Sequence, residues 1–172
     1  MLWLKLFVGA LTLVFATTVT PAQSPHIDTS GWKTYRNETM GFEAKYPNAW
    51  HVRSVRGPES VVLDETPRVG KSNLSVQFWV QRQINPRGLS IERWYADRLQ
   101  GIKATPPPTT RAVIGGRPTV RREVVGTLGK HFDFFTSLNK TDIFEITIEQ
   151  SSSQVELDQT YESILSTVKF MD

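Results

Sequence analysis

Leu74-Ser-Val-Gln-Phe-Trp-Val-Gln81 alternates without a fault: Leu74, Val76, Phe78 and Val80 share one parity, Ser75, Gln77, Trp79 and Gln81 the other. Side chains on a strand repeat every two residues, so this is a strand with one apolar and one polar face. Parallel strands, buried on both faces, read instead as continuous apolar runs, so the alternation implies an antiparallel sheet. Other strand signals surround it. Phe42, Ala44 and Tyr46 alternate with Glu43 and Lys45, Pro47-Asn48 makes a turn, and Trp50, Val52 and Ser54 resume the pattern. Trp32–Arg36 and Val61–Asp64 read as short strands. On the C-terminal side come Pro118, Val120, Arg122 and Val124 after the Gly115-Gly116 turn, then Gly129–Phe135, then Ile143–Glu149 with Phe144, Ile146 and Ile148 on one face.

Two segments change period from two to 3.6. Ser90 is a good N-cap, Leu89 and Trp94 stand where a hydrophobic staple places them, and Ile91, Trp94, Tyr95, Leu99 and Ile102 follow a helical stripe. Gly101 and the Pro106-Pro107-Pro108 run end it, the latter read as a stiff spacer. Ser153 and Glu156 form a capping box ahead of Leu157, Tyr161, Ile164, Leu165 and Val168. The expectation is an α+β domain: a central antiparallel β-sheet sandwiched by helices.

The ends set an address. Lys5 precedes an apolar run to Phe15, and Ala16–Ala22 is small-residue-rich, with Thr20 and Ala22 at the −3 and −1 positions of a cleavage site. Residues 1–22 therefore read as a cleavable secretory signal, 23–31 as a flexible leader and 32–172 as a single domain. The apolar run is diluted by threonines well short of the ~20 residues a bilayer span needs, so no stable membrane anchor is expected. The chain has no cysteine, which excludes a disulfide and a bacterial lipid anchor. Its net charge of +3 falls to +2 once Lys5 is removed, too little to imply nucleic acid as a partner.

Tyr35-Arg-Asn-Glu-Thr-Met-Gly-Phe42-Glu-Ala-Lys-Tyr46-Pro47-Asn-Ala-Trp50 resembles the opening of PsbP-like domains, where a tyrosine precedes a Gly-Phe strand ending in Tyr-Pro-x-x-Trp. Tyr161-Glu-Ser-Ile-Leu165-Ser-Thr-Val-Lys-Phe170 resembles that family's closing helix and short last strand. The resemblance spans most of 32–170. It implies a PsbP-like α/β/α sandwich in an extracytoplasmic protein, whether periplasmic, lumenal or secreted. Members of the family mostly bind other proteins, so the implied function is a non-enzymatic accessory or binding protein, a monomer with an unidentified protein partner and no cofactor. The photosynthetic members' binding residues are not carried over.

Candidate sites come from strand parity. His131 and Asp133 share one side of a strand, which suits a metal pair or an acid/base dyad, and equally a polar strand face. They underlie the alternative function, a small extracytoplasmic hydrolase or ligand-binding enzyme. Zinc catalysis needs three protein ligands, and only His26 and His51 remain as imidazoles. Arg111, Arg117, Arg121 and Arg122 make a basic stretch, either an anion site or a locally paired face. Asn37, Asn73 and Asn139 open glycosylation sequons that matter only in a eukaryotic host. Trp79 and Phe135 stand among polar residues and, with Arg121 and His131, form the candidate partner-binding surface, aromatic and arginine side chains being the common anchors of interfaces. The competing expectation is that a helix covers this face.

Overall fold

The computed structural model describes residues 27–55, 57–65, 74–100, 105–126, 129–150 and 155–171. The signal and residues 23–26 of the leader lie outside these, as does the Ser153 end of the capping box. Among the described residues there are ten strands in two sheets, and two helices.

The larger sheet has seven strands. Along the chain they are β3 (Trp50–Ser54), β4 (Ser60–Glu65), β5 (Leu74–Gln81), β6 (Thr109–Ile114), β7 (Arg117–Gly126), β8 (Gly129–Ser137) and β9 (Ile143–Gln150). Their order is β3-β4-β5-β9-β8-β7-β6, with every neighbouring pair antiparallel. Two meanders thus meet where β5 pairs β9 through eight residues, Leu74 opposite Gln150 to Gln81 opposite Ile143. The smaller sheet holds β1 (Lys33–Asn37), β2 (Phe42–Tyr46) and β10 (Lys169–Phe170), with β2 central.

The alternation of β5 sorts the large sheet into two faces. Leu74, Val76, Phe78 and Val80 bury on the same side as Ile146, Ile148, Phe132, Phe134, Val61 and Leu63. The main core closes over them from Met40 and from Phe42, Ala44 and Tyr46 of β2, and from α2 (Val155–Ser166), through Tyr161 and Ile164. Phe42 is the keystone: its ring centroid lies 4.8 Å from Phe78 and 4.9 Å from Phe144. Trp50 is buried in this core.

On the other face lies α1 (Ile91–Arg98), over β7 and β8. Ser90 caps it as expected, its hydroxyl accepting from Arg93 N at 3.4 Å. Ile91, Trp94 and Tyr95 bury on Val120, Phe135 and Ile143 in a second, smaller core, with Leu89 packed against it.

The expected sandwich is met in part. Among the described residues helix covers one face over a corner, and the opposite face is closed by a second β-sheet as much as by α2, so the described molecule is mostly antiparallel β. Strand β6 had no alternation to reveal it. It is an edge strand with four exposed positions out of six, and only Ile114 is buried. The asparagines of the described sequons serve turns: Asn37 Oδ1 accepts from Met40 N, and Asn139 Oδ1 from Thr141 N and Asp142 N.

Candidate functional site

The register gives the composition of the face shared with α1. Trp79 of β5 lies opposite Glu145 of β9, and Glu145 opposite Phe135 of β8. One pair along, Gln77, Thr147, Asp133 and Arg122 form a row across β5-β9-β8-β7, and His131 lies between Glu149 and Val124 in the next. Trp79, Phe135 and His131 therefore share a face, as parity predicts.

Arg121 does not. It pairs with Phe134, which places it on the opposite face, its guanidinium 4.8 Å from the Phe132 ring centroid. Parity within β7 separates it from Arg122, and Arg122 is the arginine beside His131 and Asp133. Phe135 is on the expected face but lies beneath α1, 4% exposed, 5.3 Å from the Tyr95 ring and 5.8 Å from Trp94. Both competing expectations for this face thus apply to different halves: α1 covers the Phe135 half, whereas Trp79 stays partly exposed and belongs to neither apolar core.

Asp133 organises the polar centre. It is 1% exposed. Its Oδ2 accepts from Arg122, with Nε at 2.7 Å and Nη2 as second donor, and its Oδ1 accepts from Thr147 Oγ1 at 3.2 Å and meets His131 Nε2 at 2.7 Å. Burial opposes the Arg122 charge, but the hydrogen bonds and attraction of Asp133 outweigh it, and the guanidinium pKa stands above its ordinary value. Glu145 shifts the same way for other reasons. Burial first, then the Asp133 charge, push its carboxyl above the usual range, against a hydrogen bond from Gln81. In the sequence Arg122 reads only as part of a basic stretch and Glu145 only as a polar neighbour of the aromatic pair, while Thr147 carries no signal of its own. Extending the parity of His131 and Asp133 across β7 and β9 is the signal that finds them.

In chemical terms the arrangement is a tether. Both Asp133 oxygens are occupied, and the Thr147 hydroxyl is aimed at the carboxylate instead of at His131, so it is not placed as a nucleophile activated by an imidazole. Three strands, β7, β8 and β9, are joined through this one side chain. Among the described residues no group of three or more His, Cys, Asp or Glu side chains could hold a metal ion.

A second polar knot lies at the end of the sheet. Asp142, buried, accepts from Gln83 N at 2.9 Å, Arg82 Nη1 at 2.8 Å and Asn139 Nδ2 at 2.9 Å. Burial alone raises a carboxyl pKa, but these donors prevail and lower it to about 2. The knot holds Gln83 at φ 54°, in the turn that leaves β5 toward α1.

Comparison with known protein families gives no match, and comparison with curated proteins gives none. Several solved structures are similar, among them the following two. One is a crystal structure from Bacteroides thetaiotaomicron, with TM-score 0.51 and 12% identity over 82% of this chain and 49% of that one, so this chain spans about half its length. The other is the solution structure of cyanobacterial PsbP (CyanoP) from Synechocystis sp., with TM-score 0.48 and 16% identity over 87% of this chain and 98% of that one. At such identities the likeness is one of fold alone, and it is the Bacteroides thetaiotaomicron structure that carries it.

Proposed function

We propose that this chain is an exported, non-enzymatic binding domain, the product of removing residues 1–22, with residues 32–172 acting as a monomeric extracytoplasmic unit on a protein partner. The observation that carries the reading is Trp79, a large aromatic side chain held partly exposed in the polar half of the seven-stranded sheet, beside Gln77, Gln81 and Glu145. Tryptophan within a polar surround is the commonest anchor of a protein interface. The occupied oxygens of Asp133 support a structural role for the His131–Asp133 pair over a hydrolytic one.

The test joins stability to capture. Wild type, Trp79→Ala and His131→Ala would be melted and then used to retain partners from the extracytoplasmic fraction of the source cells. Trp79→Ala is expected to shift the melting temperature by less than about 3 °C, under ~1 kcal/mol for a chain of this size, and to lose a partner that wild type retains. A fall of about 10 °C would make Trp79 a core residue and end the reading. Turnover of ester, phosphate or glycoside substrates that His131→Ala abolishes would end it too.

A further inference from the structure

The edge strand β6 is built as a docking strand. The Gly115-Gly116 turn closes with Ile114 opposite Arg117. In a two-residue hairpin that closing pair exchanges hydrogen bonds, so Ile114, Ala112 and Thr110 are bonded to β7. The N–H and C=O groups of Val113, Arg111 and Thr109 then point away from it. No described backbone group outside the ladder bonds to them. Pro118 fits this pattern, since it pairs with Val113 at a position that needs no N–H toward β6. Proteins blunt such edges with prolines, bulges or several charges. Here one charge, Arg111, stands in six residues, and Val113 is 72% exposed.

Beside the edge runs a groove of about 490 Å³, walled by Tyr95 and Ala96 of α1 and its C-cap Leu99, by the Pro106–Pro108 run, and by Thr109–Arg111 of β6. Tyr95 is 5% exposed and contributes its side chain to the wall, its hydroxyl being shut off from solvent beside the Arg122 guanidinium. Arg111 is exposed on the same groove and forms no ion pair among the described residues. The groove's other charge, Glu92, belongs to the first turn of α1, where the helix amides favour a carboxylate. The groove thus offers a cation next to an edge of unused backbone groups.

We propose that β6 takes up an extended acidic peptide segment of another protein as an eighth strand, its carboxylate in the groove against Arg111. Backbone pairing supplies affinity and the groove supplies side-chain selection, as in other strand-addition sites. Side chains opposite Thr109, Arg111 and Val113 share a face, so the fitting pattern is apolar, acidic, apolar at every second residue. A six-residue edge is about 20 Å long, which suits a segment better than the ~1,200 Å² or more of a stable pairing of globular copies. The site is separate from the Trp79 surface. It shares with the proposed function only the reading of the chain as a binding domain, and Trp79→Ala and Val113→Pro test the two independently.

The probe is a capped, fluorophore-bearing peptide Val-Thr-Glu-Thr-Val, whose palindromic pattern fits either strand direction, titrated into the full chain by anisotropy. Expected is saturable binding that weakens at least tenfold when the glutamate becomes glutamine, in Arg111→Gln, and in Val113→Pro. The last removes a donor that β7 does not use, so the melting temperature should hold. Bound peptide should slow hydrogen exchange at the amides of Thr109, Arg111 and Val113 in wild type, a readout independent of any variant's folding. Absence of binding at millimolar peptide, binding unchanged in Val113→Pro, or exchange unchanged at those three amides would overturn the proposal. So would a wild-type dimer that Val113→Pro dissolves, which would assign the edge to a second copy.

Discussion

Removing the Asp133 carboxylate separates a structural tether from a strained catalytic dyad, because the two readings predict opposite signs. Asp133 is fully buried and serves Arg122, His131 and Thr147 together. Asp133→Ala leaves the Arg122 charge, whose side chain is 29% exposed, without its partner. Breaking a buried pair costs about 3–5 kcal/mol, and the water that still reaches Arg122 favours the lower end, about 3. Asp133→Asn keeps an acceptor for the Thr147 hydroxyl and should cost about 2 kcal/mol. His131 is 37% exposed, so His131→Ala leaves the rest of the cluster intact and should cost under about 1 kcal/mol. Replacing both ends of the ion pair, Arg122→Met with Asp133→Leu, should recover most of the loss, since no buried charge is then stranded. Urea unfolding followed by tryptophan fluorescence gives these differences, with an unchanged slope as the sign that the unfolding transition is the same one. For a chain of this length 3 kcal/mol corresponds to about 6–12 °C in melting temperature. The reasoning fails if either Asp133 variant is as stable as wild type or more so. That is the signature of a site held under strain for chemistry, where truncation relieves the strain.

Gly115 has φ 56°, and a Cβ there would stand 2.8 Å from the Phe170 ring, which is itself held by Arg117 at 4.5 Å and Phe144 at 5.1 Å. Gly115→Ala should therefore cost about 2–3 kcal/mol in thermal unfolding, whereas Gly116→Ala, with open space around it and φ 78°, should cost only the left-handed backbone penalty of about 1 kcal/mol; equal losses would show that Phe170 yields freely. Asp142 has a folded pKa lowered from 3.8 to about 2, so its contribution is complete above pH 3.8 and is lost as pH falls from there toward 2. Asp142→Asn should be about 1–2 kcal/mol less stable at pH 7, after allowance for solvent screening, with the gap closing near pH 2; a gap constant across that window would refute the assignment.

How far the sequence reached depends on how each element is buried. Strands β2, β5 and β9 are half-buried, and their alternation showed in Phe42–Tyr46, Leu74–Gln81 and Ile143–Glu149 because one face meets a continuous core. An edge strand such as β6 has no such contrast. Thr109, Thr110, Arg111 and Val113 are all exposed, so neither parity is selected for apolar residues. Strand β7 is ambiguous for another reason. Its two parities, Thr119-Arg121-Glu123 and Val120-Arg122-Val124, both mix arginine with other types, and register against β8 is what assigns Arg121 to the main-core face. The burial of Phe135 was out of reach of any strand pattern, since it depends on where a helix about forty residues earlier comes to rest.

That resting place follows from topology. Strand β5 lies inside the sheet and β6 at its far edge, with β9, β8 and β7 between them. The connection between them must travel four strand spacings, about 19 Å, across one face. The other face is taken by β2 and α2, so the crossover has only the Trp79–Phe135 face to cross. The Asp142 knot fixes its departure at Gln83, and α1 follows after seven more residues, which sets the helix down on β7 and β8 instead of on β5 itself. The stiff Pro106–Pro108 run then completes the passage and delivers the chain to the edge, where it becomes a wall of the β6 groove. One connection therefore shapes both surfaces of interest: among the described residues it sets its helix on the Phe135 half of the face and not the Trp79 half, and it builds the groove beside an edge strand with unused backbone groups. Sliding α1 toward β5 would cover Trp79 and uncover Phe135, so the length of this crossover determines which aromatic residue of the pair a partner can reach.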